Sequence, residues 1–325
     1  MPNTRSNFVK AMVDDAYEWA LEKYDEEPTI FDQIFQAEDT GNAYEQYTSA
    51  IGPGELTETE EGEAITRRTA IEGFTVYCAN KKFADELPIT NEAIDDNTKV
   101  DNFLKVWAQG LGEAARITKE KRHANIFNYG GYTAGHDVFL NDVNNVLTTS
   151  YGKLCYDSKP FLNLTGNNRT AKHGGTYYNG VATLDLTETN LQALYKLLTV
   201  TNAYNEAGIK ISIVPNVILV QMGSDNWFKA RRIIESPAST EGIHAGITNL
   251  WKAQLKVVGW AFLNDADAYF IGVAKKGLIS LARMPLSIDY YEDKNTDSQI
   301  VRARVRFGNA VRNFRPWAGA NFSTS

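Results

Sequence analysis

The chain has 325 residues, 43% hydrophobic and 22% charged, and a formal net charge of −7. That length buries a substantial core in one large or two closely linked domains, and this balance, with a mean hydropathy of −0.35, excludes disorder as the default. The acidic excess argues against a dedicated nucleic-acid reader, whose footprint is a basic domain, while Cys78 and Cys155 stand in neither a metal nor a redox spacing, which fits a reducing compartment.

The opening Met1-Pro2-Asn3-Thr4-Arg5-Ser6 leads into a charged amphipathic stretch and not the apolar core of a signal peptide, so export is not expected. Apolar stretches such as Val257 to Phe262 are far short of the roughly 20 residues a membrane helix needs. Asn163-Leu164-Thr165 and Asn168-Arg169-Thr170 match a glycosylation pattern, but without a secretory signal they carry no weight.

Phe8, Met12, Ala16, Trp19 and Ala20 recur at helical spacing and stop before Pro28, predicting an amphipathic arm that packs either on its own subunit or on a neighbour. From Ile30 to about Thr90 the pattern is strand-like, with Tyr44, Tyr47, Ile65, Ile71, Phe74, Val76 and Tyr77 around a polar centre that runs from Gly52 to Glu63. This predicts a long hairpin with an acidic turn region carrying Glu55, Glu58, Glu60, Glu61 and Glu63. An isolated two-stranded ribbon is marginal in water, so it needs a surface to lie on, and a partner subunit would supply one.

Val100, Phe103, Leu104, Trp107, Leu111, Ala114 and Ala115 fall at i, i+3, i+4 and i+7, predicting a helix that continues to about Phe127. Some thirty residues at 1.5 Å each would span roughly 45 Å, the length of a structural spine. Asn128 to Gly180, rich in Gly, Asn, Thr and Tyr, reads as loop and short strands. Thr187 caps a predicted helix to Asn202, Val217 to Val220 is a buried strand, and Ser224 opens a helix to Ile234. Strands follow at Val257 to Phe262, Ala268 to Ala274 and Leu278 to Ala282, which makes the whole a mixed α+β chain. In Ile300 to Phe307 the residues alternate, so Arg302, Arg304 and Arg306 share one positive strand face.

Catalytic signatures are missing from the sequence. There is no G-x-x-x-x-G-K-[ST] phosphate loop, no G-x-G-x-x-G dinucleotide motif and no G-x-S-x-G nucleophile elbow. His123, His136, His173 and His244 are scattered singly, without metal-ligand pairing, and His136-Asp137 reads as an exposed loop dipeptide. The acidic run is by itself what a solvated loop looks like. No cofactor, metal or catalytic residue is expected; a cytosolic hydrolase assembled from distant residues is the alternative of a different class.

The order of elements, arm, acidic hairpin, spine helix, glycine-rich stretch, helix–strand–helix core and closing arginine strand, resembles the major capsid proteins of tailed phages with the Hong Kong 97-type fold. The likeness is particularly to the group that includes Mu-like major head subunits. It is carried by Ala114 to Asn128, where the family has a spine helix ending in an A-N-x-F-N-like signature, and by Asp157-Ser158-Lys159-Pro160-Phe161, similar to a D-G-K-P-L-F loop. His173-Gly174-Gly175-Thr176, then Ile213 to Val220 and Ala230 to Ser236, complete it over Pro28 to Phe314. Ser158 stands where the family often has Gly, and no coiled-coil extension precedes the arm, so a separate scaffold protein is expected.

The resemblance implies an N-terminal arm at 1–37, an extended hairpin at 38–90, a peripheral domain with the spine helix at 91–186, an axial domain at 187–281, and return strands at 282–325. It implies a non-enzymatic subunit that forms homo-hexamers and homo-pentamers of an icosahedral or prolate shell. Expected partners are scaffold, portal and decoration proteins and non-specifically packaged double-stranded DNA, with no membrane; the chain would assemble in the host cytoplasm and reside in the virion. An encapsulin-like shell around cargo is the nearer alternative. The hairpin glutamates are expected to meet basic residues such as Arg302, Arg304 and Arg306 of an adjacent subunit, fixing register more than strength. Equally, those arginines pair with acids of their own subunit such as Asp289 or Glu292.

Overall fold

The computed structural model describes residues 9–26, 28–51, 56–67, 71–92, 100–132, 155, 157, 159–170, 176–206, 208–239, 247–252 and 254–324. Helix α1 (Val9–Asp25) is the predicted arm, and it lies across α3 (Val100–Asn128). The 29 residues of α3 make it about 43 Å long at roughly 1.5 Å per residue. The two backbones approach closely at Gly112, where a Cβ would stand 2.1 Å from the carbonyl oxygen of the fully buried Ala20. Only glycine permits that approach. Between the two helices a single turn, α2 (Phe31–Ile34), turns Phe31 and Ile34 inward.

Under α1 and α3 lies a four-stranded sheet in the order β1 (Gln36–Asp39), β11 (Leu278–Asp293), β12 (Ser298–Val311), β4 (Lys81–Thr90). The alternation read from the sequence appears in β12: Val301, Ala303, Val305 and Phe307 are buried and Arg302, Arg304 and Arg306 half-exposed. Val301 and Ala303 join Leu286 and Ile288 of β11 in packing against Ala20 and Leu111 of the helices. Strand β11 runs to Asp293, well past the predicted end at Ala282, and its pairing with β12 slips on either side of Met284. Such bulges bend a strand and re-aim its side chains.

The predicted hairpin forms from β2 (Tyr44–Ile51) and β3 (Ile71–Ala79), a two-stranded sheet of its own. Among its described residues the buried ones lie at its base, Val76 and Cys78 against Ile279, Leu281 and Ala310. Midway, Ser49 bulges: its Oγ accepts from the Phe74 amide at 2.8 Å, and a Cβ on Gly73 would collide with that same oxygen. The segment after the hairpin, β4, leaves the ribbon and pairs along β12. The ribbon is therefore narrower than the whole 38–90 stretch.

A second, five-stranded sheet runs β7 (Gly180–Val181), β13 (Trp317–Ala320), β10 (Tyr269–Gly272), β8 (Val217–Gln221), β9 (Lys256–Trp260). Both faces are covered, which is why Val217 to Val220 reads as an unbroken apolar run. Leu219, Trp260, Phe270 and Trp317 pack on Phe127 at the end of α3, with Phe35 and Phe161. Ile218, Val220, Tyr269, Ile271 and Ala318 pack on α4 (Glu188–Lys196) and α5 (Asp225–Glu235). Both helix caps stand as predicted, Thr187 accepting from the Asn190 amide at 3.1 Å and Ser224 from that of Trp227 at 3.2 Å.

Two features differ from expectation. The helix predicted to Asn202 changes at Lys196 into a π-turn, Leu197–Thr201, which buries Leu197 and Leu198 together. The last strand, β13, does not stay with β11 and β12; it enters the middle of the five-stranded sheet between β7 and β10. In the 128–180 stretch the described pieces are loop, with the two-residue pair β5 (Arg169–Thr170) and β6 (Thr176–Tyr177).

Candidate functional site

The arginines of β12 project from the sheet face opposite α3. Across the sheet Arg302, Arg304 and Arg306 stand beside Glu86, Ala84 and Lys82 of β4. On the β11 side, Arg304 reaches Asp289 at 2.7 Å and Arg302 reaches the same carboxylate oxygen at 3.3 Å. Arg302 also lies over the Tyr291 ring, whose hydroxyl donates to Glu86 at 3.0 Å. Of the two readings of these arginines, the structure places Arg302 and Arg304 on an acid of their own chain, Asp289. Arg306 differs: it has no ion-pair partner among the described residues.

On the helical side of the sheet a cleft of about 610 Å³ opens between α1 and the bulged part of β11. Tyr17, Tyr24, Lys119, Arg283, Met284 and Phe307 are among the residues that line it, together with Asp25 and Asp39. The Lys119 ammonium is already turned inward, 4.8 Å from the Phe31 ring centre and 3.4 Å from the Tyr24 hydroxyl.

The hairpin tip carries the opposite character. Glu58, Glu60, Glu61 and Glu63 are all exposed, whereas Glu55 lies outside the described residues. The tip is a turn, Glu63 donating its amide to the Glu60 carbonyl at 3.1 Å, with Gly62 at φ 89° in the position where a type II turn requires glycine. Leu56 and Ile65 on its flanks are 92% and 82% exposed. The base is clamped: Tyr47 donates to Glu38 at 2.6 Å, and Arg312 lies over the Tyr47 ring and 3.9 Å from Glu38.

Three buried polar groups hold these surfaces in place, and the sequence alone singled out none of them. Glu120 of α3, 2% exposed, accepts from the Ile30 amide and from the Trp260 indole, each at 2.6 Å. Burial pushes its carboxyl above the ordinary range, against the pull of those hydrogen bonds. His123, fully buried, stacks on Phe31 at 4.5 Å and on Phe307 at 5.7 Å, and burial lowers its pKa to about 3. Its Nδ1 faces the Lys119 carbonyl at 2.7 Å and so carries the proton, leaving Nε2 to accept from Ser280 at 2.8 Å. Arg169, 1% exposed, lies 3.9 Å over the Phe314 ring, bonds the Pro160 carbonyl and stands 3.5 Å from Asp157. An i, i+3 pair of polar residues, Glu120 and His123, on the apolar stripe of α3 was the available signal.

No group of three metal-ligating side chains is present among the described residues. His136, Asp137, His173, His244 and Ser158 lie outside them. Both cysteines are buried, and burial pushes their thiols up, Cys78 to about 12 and Cys155 to about 11. No described helix is long and apolar enough to cross a membrane.

No protein-family model and no curated protein matches the sequence. Solved structures do match. The capsid structure of the Cyanophage P-SCSP1u aligns with a TM-score of 0.54 at 12% identity, covering 92% of this chain and 89% of that one. The capsid of the native GTA particle gives 0.50 at 12% identity over 90% and 89%, and that of the empty GTA particle 0.50 at 12% over 90% and 88%. The fold is that of phage capsid chains, the α+β Hong Kong 97-like architecture that the order of elements resembles.

Proposed function

We propose that this chain is the major capsid subunit of a tailed bacteriophage, forming hexamers and pentamers of a closed shell around double-stranded DNA. The observation that carries the reading is the hairpin β2–β3: in a capsid fold, its buried side chains among the described residues lie at its base, and it ends in an exposed acidic tip flanked by Leu56 and Ile65. A ribbon of that kind needs a surface outside its own chain. The arm, α3 and the four-stranded sheet would form the peripheral part, and 187–281 the axial part at the capsomer centre. The role is structural, without catalysis.

Many modest contacts repeated around each subunit give a shell its strength by multivalency. The glutamates Glu55, Glu58, Glu60, Glu61 and Glu63 would face basic residues of the adjacent subunit. With Asp289 occupying Arg302 and Arg304, Arg306 is the member of that trio best able to receive them. Exposed pairs contribute at most about 1 kcal/mol each, so they select partner and register while apolar burial supplies strength. A net charge of −7 keeps adhesion to DNA weak and non-specific. Scaffold, portal and decoration proteins are the further partners, and the virion is where the chain would reside.

Negative-stain microscopy and sedimentation of the purified chain, produced with and without its neighbouring scaffold gene product, test the reading. Shells, tubes or capsomer rings are expected. Homogeneous monomers under both conditions would overturn it, and shells holding a protein cargo without DNA would point to an encapsulin-like role.

A further inference from the structure

The five-stranded sheet ends in β9, which pairs in parallel with β8; among the described residues no strand lies on its other edge. The Lys256 amide donates to the Asn216 carbonyl at 2.8 Å, and the Trp260 carbonyl accepts from the Met222 amide at 3.3 Å. Lys256, Val258 and Trp260 therefore turn their main-chain groups towards β8, and by the period of two the amides and carbonyls of Val257 and Gly259 point away from the sheet. The free edge of the four-stranded sheet is guarded: β4 carries Lys81, Lys82, Asp85, Glu86 and Pro88, the charges and proline that keep an edge unpaired. β9 has one such guard, Lys256 at its first position.

This edge borders an apolar surface. A Cβ on Gly259 would stand 2.8 Å from the Trp227 indole nitrogen, so the missing side chain lets that ring lie against the strand. Trp227 meets Phe228 edge-on at 4.8 Å, and Arg231 lies 5.1 Å from the Trp227 ring centre. Phe228 and Met222 are 54% and 60% exposed. Trp, Phe, Met and Arg side by side are the composition of a binding hot spot. On α5 and β9 together, Lys229, Arg231, Arg232 and Lys256 outnumber Asp225 and Glu235, in a chain whose net charge is −7. We propose that this edge takes up an extended segment of a second protein as a sixth strand of the sheet. Apolar residues of that segment lie on the face of Trp227, Phe228 and Met222, and acidic residues on the opposite face, which Lys256 shares with Val258 and Trp260. Main-chain bonds to Val257 and Gly259 give affinity, and the alternate side chains give specificity. Assigning the segment to a scaffold or decoration protein rests on the shell reading; the open edge does not.

The full chain, in whatever assembly state it adopts, is titrated with a short fluorescein-labelled peptide of alternating valine and glutamate, and binding is read by anisotropy. Saturable binding is expected, with slowed hydrogen exchange at the Val257 and Gly259 amides. Two further peptides, N-methylated at every valine or at every glutamate, keep the side chains; pairing along one edge requires one of them to bind at least about tenfold more weakly and the other to bind as before. Phe228→Ala is expected to weaken binding about tenfold, the loss of one hot-spot contact, with the thermal stability of the chain unchanged. No saturable binding, equal binding of the two methylated peptides, or unchanged exchange at Val257 and Gly259 overturns the strand addition. Binding as described in a chain that forms no particles, with or without scaffold, removes the shell reading and leaves the strand addition standing.

Discussion

Glu120 and Trp260, 140 positions apart, are joined in the interior by a 2.6 Å hydrogen bond from the indole Nε1–H to the carboxylate Oε2. Because the other oxygen takes the Ile30 amide, one side chain of α3 fastens both the start of the core after the arm and the edge strand of the five-stranded sheet. Trp260→Phe removes the donor and leaves a buried carboxylate oxygen short of a partner. A loss of about 1–3 kcal/mol is expected, measured by urea unfolding of the full chain.

The pH dependence of stability has two opposing contributions. His123 has a folded pKa of about 3 against an ordinary 6.5, so the unfolded chain binds the proton first; stability is present above 6.5 and is lost as pH falls towards 3, at roughly 1.4 kcal/mol per unit. Glu120 runs the other way: its folded pKa lies above the ordinary 4.5, so its contribution is present below 4.5 and is lost as pH rises through the folded value. His123→Gln should flatten the loss of stability between pH 6.5 and 3 in thermal melts. An unchanged slope would mean that His123 is not the group responsible.

Gly110 and Gly112 of α3 form a matched pair for testing the arm contact. Nothing lies within 4 Å of a Cβ at Gly110, whereas at Gly112 it would meet the Ala20 backbone. Gly110→Ala should stabilise by roughly 0.5–1 kcal/mol through helix propensity. Gly112→Ala should destabilise by about 1–3 kcal/mol through overpacking and raise the rate of proteolytic release of α1. Equal behaviour of the two variants in denaturation would contradict the close crossing.

Arg169→Lys keeps the charge but loses the planar guanidinium over Phe314 and its bond to the Pro160 carbonyl. Stability should fall by roughly 2 kcal/mol, the scale of a desolvated cation–π contact. Calorimetry of the variant beside wild type decides this.

Asp289→Ala frees Arg302 and Arg304 from their own chain. With the pair half-exposed, the cost in unfolding free energy should stay within about 1 kcal/mol. Charge-dependent self-association, followed by sedimentation across ionic strengths, should change more than stability does.

What the sequence determined by itself is whatever repeats along a short stretch of chain. The helical period set α1, α3 and α5; the hydroxyls of Thr187 and Ser224 set where two helices begin; and strict alternation placed Arg302, Arg304 and Arg306 on one face, because side-chain direction in a strand has period two. The order of those elements was enough to show the likeness to capsid chains. Tertiary structure alone decided which chemistry meets which. Trp317 to Ala320 is too short and, after Trp317, too small in its side chains to mark it as a central strand, and it becomes one because β7 and β10 pair with its two edges. Asp289 could be matched to Arg302 and Arg304 only after β11 and β12 fixed their register, and Glu120 to Trp260 only after α3 and β9 came together. Local periodicity is written in neighbouring residues, whereas partners distant in the chain are chosen by packing that no short window contains.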